Sequence, residues 1–123
     1  MRAHSLLLSF RYALAGLGWL VRTQRNARIH LIIALVAVAL GAWLGLSGPE
    51  WAVLLLTIGL VLAAEAFNTA LEAAVDLASP EWHALARIAK DVSAGGVLVL
   101  ALAAVGVGVA LFAGRLLARL GWA

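Results

Sequence analysis

A charge-free apolar run that ends in a row of acids constrains this chain more than any other feature. Residues 51–63 carry no charge, and Thr57 is their one polar side chain. Directly behind them Glu65, Asn68, Glu72 and Asp76 follow at steps of three, four and four. On a 3.6-residue period these steps put all four side chains on roughly one face of a helix. At 1.5 Å per residue, Glu65 and Glu72 stand about 10 Å apart along the axis. A carboxylate buried alone is costly, so an acid beside a membrane span requires a cation, a metal or a proton. One reading is a helix leaving the membrane with its polar face wetting the surface. The other is a site, and carboxylate, amide and carboxylate on one face favour it.

The bulk of the chain agrees with a membrane setting. Of its 123 residues, 65% are hydrophobic and 12% charged, with a mean hydropathy of +1.05. Soluble domains are about half apolar and about a quarter charged. The expectation is an all-α integral membrane protein, one membrane-embedded domain over residues 1–123. Its length suits three spanning helices and one surface helix. Three thin Ala- and Gly-rich helices expose much surface, which predicts a homo-oligomer. The net charge of +3 and pI near 10.7 do not indicate nucleic acid, because the basic residues sit beside spans rather than in one long cluster. Cysteine is absent, which excludes disulfide and thiol chemistry. The opening residues are too short and broken in their apolar run for a convincing signal peptide.

Taken in order, residues 2–25 repeat Leu6, Leu7, Phe10, Leu14, Leu17 and Val21 at spacings of three and four, with Arg11, Arg22 and Arg25 between. That predicts an amphipathic helix in the membrane surface, weakened or bent at Gly16 and Gly18. Residues 23–30 read as a turn into the membrane, with Asn26 a possible cap. Residues 29–46 make about 27 Å of helix, enough to cross. Ser47-Gly48-Pro49-Glu50 is a turn, with Pro49 in the first turn of the next helix. That helix should run over residues 49–76 (span about 50–76), and its last turns, which carry the acids, should stand beyond the hydrocarbon. Residues 81–90 read as a short helix or ordered loop, and a third span covers residues 91–112. Gly95, Gly96, Gly106 and Gly108 on that span allow close helix approach, within one bundle or between subunits.

Charge predicts orientation. Arg2, Arg11, Arg22, Arg25, Arg28, Arg87 and Lys90 lie on one side, and Arg115 and Arg119 on the other. The richer side is expected in the cytoplasm, with the N-terminus inside and the C-terminus outside. The acid row and the Lys90-Asp91 pair end on that same side.

Phosphoryl transfer, the reaction implied by the family resemblance below, needs mainly positioning and charge neutralisation, and this face can be checked against it. Glu72 supplies a carboxylate of the kind that holds Mg²⁺ together with phosphates. Glu65, about two turns deeper, suits a base for a lipid hydroxyl, because burial makes a carboxylate a better proton acceptor. There is no GxxxxGK loop and no dinucleotide fingerprint, so phosphates would be held by side chains and metal. Lys90 is the natural cation, or else an interfacial lysine. Asp91 is equally a helix N-cap. Arg28 and His30 read as interfacial anchors in contact with lipid headgroups, Arg28 also as a partner for Glu72 or phosphate. His83 reads as structural or as a headgroup contact. Arg11 and Tyr12 are possible contributors from the surface helix.

Two blocks carry a resemblance. E-A-F-N-T-A-L-E-A-A-V-D over residues 65–76 and H-A-L-A-R-I-A-K-D-V-S-A-G-G over residues 83–96 resemble the two signatures of the prokaryotic diacylglycerol kinase family, which includes Gram-positive undecaprenol kinases. S-F-R-Y-A-L-A-G over residues 9–16 and R-N-A-R-I-H over residues 25–30 are similar to its other segments, so the resemblance covers nearly the whole chain in order.

The resemblance implies a homotrimeric lipid kinase of the bacterial inner membrane, with active sites shared between subunits. It would move the γ-phosphate of ATP, with Mg²⁺, onto a diacylglycerol or undecaprenol hydroxyl. By similarity Glu65 is the general base, Asn68 helps place substrate, Glu72 holds Mg²⁺ and ATP, Lys90 contacts phosphate, and Asp91 sits beside the adenosine. Arg11 and Tyr12 are assigned to the ATP side. The R-N-A-R-I-H block tilts the acceptor toward undecaprenol. One position departs from the family: Gln24 stands where a second metal-binding Glu is usual, and a neutral amide is a weaker ligand for a hard cation. That leaves a catalytically weakened or non-catalytic oligomeric scaffold as the alternative. A channel is disfavoured, because no polar row runs through the depth of the second span.

Overall fold

The protein is described by a computed structural model over residues 5–122. Four helices follow in order: α1 Leu6–Thr23, α2 Arg25–Leu44, α3 Gly48–Ala78 and α4 Ala84–Arg119. No strand occurs among the described residues. The last three are long and apolar enough to cross a membrane. α3 packs most extensively against α4, then against α2, while α1 packs on α2 and α3.

Small residues let α2 approach α3. Ala27, Ala34 and Gly41, spaced by seven, are the buried positions of α2, and Leu54 and Val61 repeat the same step on α3. Small residues at a seven-residue step allow two helices to approach closely. Gly41 is required at its end: a Cβ there would meet Leu46 Cδ1 at 2.9 Å and Trp51 at 3.0 Å. α2 stops at Gly45, whose φ of +76° suits glycine. Ser47 and Glu50 form a reciprocal capping box that starts α3, with Pro49 in its first turn. Leu46, Leu54, Leu111 and Phe112 form an apolar cluster nearby.

The outward faces are apolar. Ile32, Leu35, Leu56, Val99 and Leu102 are each more than half exposed. Water would not tolerate that surface; hydrocarbon does. At 31 and 36 residues, α3 and α4 extend to about 46 and 54 Å, longer than the roughly 30 Å hydrocarbon core. The C-terminal turns of α3 and the N-terminal turns of α4 therefore project together at the end where α2 begins.

Several boundaries differ from expectation. Residues 23–30 are not a turn: Gln24 alone is extended (φ −107°, ψ 113°) and caps both α1 and α2, so Asn26 lies inside α2 rather than capping it. Arg28 Nη1 donates to the Arg22 carbonyl at 3.0 Å, satisfying an orphan acceptor at the end of α1. α1 is continuous through Gly16 and Gly18. Residues 84–90 are not a separate short helix or loop. They open α4, which runs unbroken to Arg119, because His83 Nδ1 accepts from the Leu85 N–H at 3.1 Å and starts the helix there. Asp91 is thus an interior helical residue, not an N-cap, and lies 3.7 Å from Arg87 one turn before it. α4 continues past the expected end of the span at residue 112 and takes in Arg115 and Arg119. Arg2, counted for orientation, lies outside the described residues.

Candidate functional site

The acid row of α3 is graded in burial. Glu65 is 3% exposed, Asn68 and Glu72 are half-buried, and Asp76 is exposed. The four share one helix face, but that face loses a packing partner as α3 runs past the beginning of α2. The order of depth expected from spacing is the order of burial observed.

Each acid meets a different partner. Glu65 Oε1 lies 3.2 Å from His30 Nε2 on α2. Thr69, one turn further, is also buried; its step of four from Glu65 continues the buried stripe, a signal obscured by its neutral side chain. Asn68 Nδ2 donates to Glu72 Oε1 at 3.2 Å, and Asn68 Oδ1 is buried without a hydrogen-bond partner. Asp76 is ion-paired with Lys90 across the α3–α4 turn.

Lys90, Asp91 and His83 line one polar surface pocket of about 380 Å³ at that turn, with Asp76 and Arg87. Asp76 closes the acid row read from the sequence, whereas Arg87 joins the site only through the structure; the charges at 87, 90 and 91 are the available signal. Gln24 is half-buried at the α1–α2 break, its amide nitrogen 3.3 Å from Thr23 Oγ1. Arg11 and Tyr12 stand on the exposed surface of α1, about 18 Å of helix before Gln24. Arg28 is engaged with the end of α1 rather than with Glu72. His30 faces Glu65 and also forms one end of a groove of about 350 Å³ between α2, α3 and α4, otherwise lined almost wholly by apolar side chains such as Ala34, Val61 and Val105.

Among the described residues of one chain, no three His, Asp or Glu side chains gather to hold a metal ion. The donor chemistry still fits Mg²⁺: the Glu72 carboxylate and the unpartnered Asn68 Oδ1 are adjacent hard oxygens, and Mg²⁺ takes one or two carboxylates together with water and phosphate oxygens. The arrangement therefore layers three chemistries along α3: a deep carboxylate beside an apolar groove, a half-buried oxygen pair, and an outer pocket with a cation.

Comparison with known proteins gives the same direction. Residues 11–112 match the sequence profile described as prokaryotic diacylglycerol kinase. A diacylglycerol kinase of Synechocystis sp. is 49% identical over 107 residues, covering 86% of this chain and 61% of that protein. An undecaprenol kinase of Bacillus subtilis is 37% identical over 108 residues, 88% of each chain. A diacylglycerol kinase of Escherichia coli K12 is 34% identical over 74 residues, 60% of this chain and 61% of that one. The aligned region thus spans less than two thirds of the Synechocystis and Escherichia coli relatives.

Proposed function

The chain belongs to the prokaryotic diacylglycerol kinase family, and from that premise we propose that it is a lipid kinase moving the γ-phosphate of ATP onto a lipid hydroxyl. The observation that carries the reading is the buried Glu65, placed between an apolar groove and a half-buried oxygen pair. In this reading the acceptor's apolar chain lies along the groove, and its hydroxyl meets Glu65. Glu65 takes the hydroxyl proton as the oxygen attacks the γ-phosphorus, and ADP leaves. Asn68 and Glu72 would hold Mg²⁺. When bound there with ATP, Mg²⁺ neutralises charge on the transferring phosphoryl group. Lys90 exchanges its Asp76 partner for phosphate, and Asp91 and His83 border the nucleotide.

The site lies at the cytoplasmic face of a bacterial inner membrane, with the N-terminus inside and the C-terminus outside, following the arginine asymmetry. The protein works as a homotrimer. The exposed Gly96 and Gly106 of α4 support subunit contact, because a Cβ at either would meet nothing within 4 Å in one chain. Undecaprenol is the favoured acceptor and diacylglycerol the second. Gln24 favours a catalytically weakened scaffold as the alternative, since a neutral amide replaces a charged ligand.

The test is transfer from labelled ATP in detergent–lipid micelles with diacylglycerol and undecaprenol offered separately. Magnesium-dependent phosphorylation of one lipid supports the kinase and chooses the acceptor. No transfer to either by assembled protein favours the scaffold.

A further inference from the structure

Glu65 is 3% exposed, and a charge so placed needs a partner. The other cations with described contacts are committed elsewhere: Lys90 to Asp76, Arg87 to Asp91 and Arg115 to Glu50. Arg28 is held by the Arg22 carbonyl and Arg119 by the Trp43 carbonyl. The partner on the page is His30, whose Nε2 lies 3.2 Å from Glu65 Oε1. With Glu65 ionised, as the kinase reading requires of a base, the imidazole nitrogen that faces it has to carry hydrogen, since two acceptors would repel.

We infer that His30 is a positioning residue for phosphate transfer, its Nε2–H engaging one oxygen of Glu65 so that the other faces the acceptor hydroxyl. The inference rests on the kinase reading above. The position of His30 is well fixed. Ala27, one turn before it, is 1% exposed, and Arg28 ties the start of α2 to the end of α1. His30 also borders the apolar groove, so the engaged carboxylate oxygen is set where an acceptor chain would end.

The step balances. The hydroxyl oxygen forms a bond to the γ-phosphorus, and the bond from that phosphorus to the β,γ-bridging oxygen breaks, its electron pair leaving with ADP. The hydroxyl proton passes to the free oxygen of Glu65. His30 neither gains nor loses a proton, and its N–H stays on the other oxygen throughout. What His30 contributes is a donor that the sequence could replace by another donor of similar reach, but not by an apolar side chain.

The experiment compares full-length wild type, His30→Leu and His30→Gln in micelles containing diacylglycerol or undecaprenol. His30→Leu should lower kcat about 10- to 100-fold, the value of a hydrogen bond to a charged group, with the KM for ATP unchanged. His30→Gln, which keeps an N–H near the same place, should recover most of that loss. Purely structural damage would not be repaired by an amide donor. A second readout does not depend on activity. In protein labelled with ¹⁵N at its three histidines, the ring resonance missing from His30→Gln belongs to His30, and it should move on Glu65→Gln. Unimpaired His30→Leu, a His30→Gln protein as slow as His30→Leu, or a His30 resonance indifferent to Glu65→Gln would each overturn the role. Wild-type protein that phosphorylates neither lipid overturns the kinase reading and the role with it. A working wild-type kinase with an unimpaired His30→Leu variant overturns the role alone.

Discussion

Arg115 on α4 grips Glu50 on the first turn of α3 with both terminal guanidinium nitrogens, at 2.5 and 2.6 Å. Glu50 also accepts the Ser47 N–H at 3.1 Å, so one carboxylate caps α3 and ties it to α4. One turn further along α4, Arg119 lies 5.0 Å over the Trp43 ring and donates to the Trp43 carbonyl at 3.2 Å. The end of the bundle away from the acid row is thus closed by two arginines. Arg115→Leu should lower the thermal midpoint in detergent while leaving the initial rate of phosphate transfer at low temperature unchanged. Arg115→Lys should recover only part of the loss, because an ammonium lacks the planar fork. Circular dichroism melts decide it, and an unaltered midpoint in Arg115→Leu would show that the grip adds nothing.

Glu65→Gln keeps the shape of the side chain and removes its basicity. Transfer should fall by about 10²- to 10⁴-fold, the usual contribution of a positioned base, with the oligomer unchanged by size-exclusion chromatography. Normal activity in the assembled variant would sink the base assignment.

Gln24→Glu places a carboxylate at the α1–α2 break. If Gln24 faces the metal, the Mg²⁺ concentration for half-maximal rate should drop roughly tenfold, since hard cations favour carboxylate over amide. A Mg²⁺ titration that overlays the wild-type curve would remove Gln24 from the metal site.

Lys90 is held by Asp76 here, yet lines the outer pocket. Lys90→Met should raise the KM for ATP about tenfold through loss of a charge-assisted contact to phosphate. Asp76→Asn should leave that KM no higher than wild type. Equal KM values for Lys90→Met and wild type would return Lys90 to a structural role.

His83 starts α4 by accepting the Leu85 N–H. His83→Ala should destabilise the protein by about 1 kcal/mol, a typical capping loss, and His83→Asn should restore most of it. Thermal melts of the pair check this; equal melting of all three proteins would mean that the cap is dispensable.

Much of the architecture was legible locally. Three apolar runs and the Ser47–Glu50 turn are short-range signals, and they place α2 and the start of α3. Helix continuity was less legible. Charges at 87, 90 and 91 looked like a surface segment, but nothing between 84 and 119 breaks a helix. A histidine cap is also a weaker signature than an aspartate such as Asp91.

What the sequence determined by itself is the membrane setting, the helix order and the polar face of α3, because these follow from composition and from a period of 3.6. What only the tertiary structure decided is which acid meets which partner. Glu65 meets His30, Asp76 meets Lys90, and Glu50 meets Arg115. Each pair joins different helices, and pairing between helices depends on their crossing and relative height. Those are set by how α2 and α4 each pack on α3, which no spacing within one helix records.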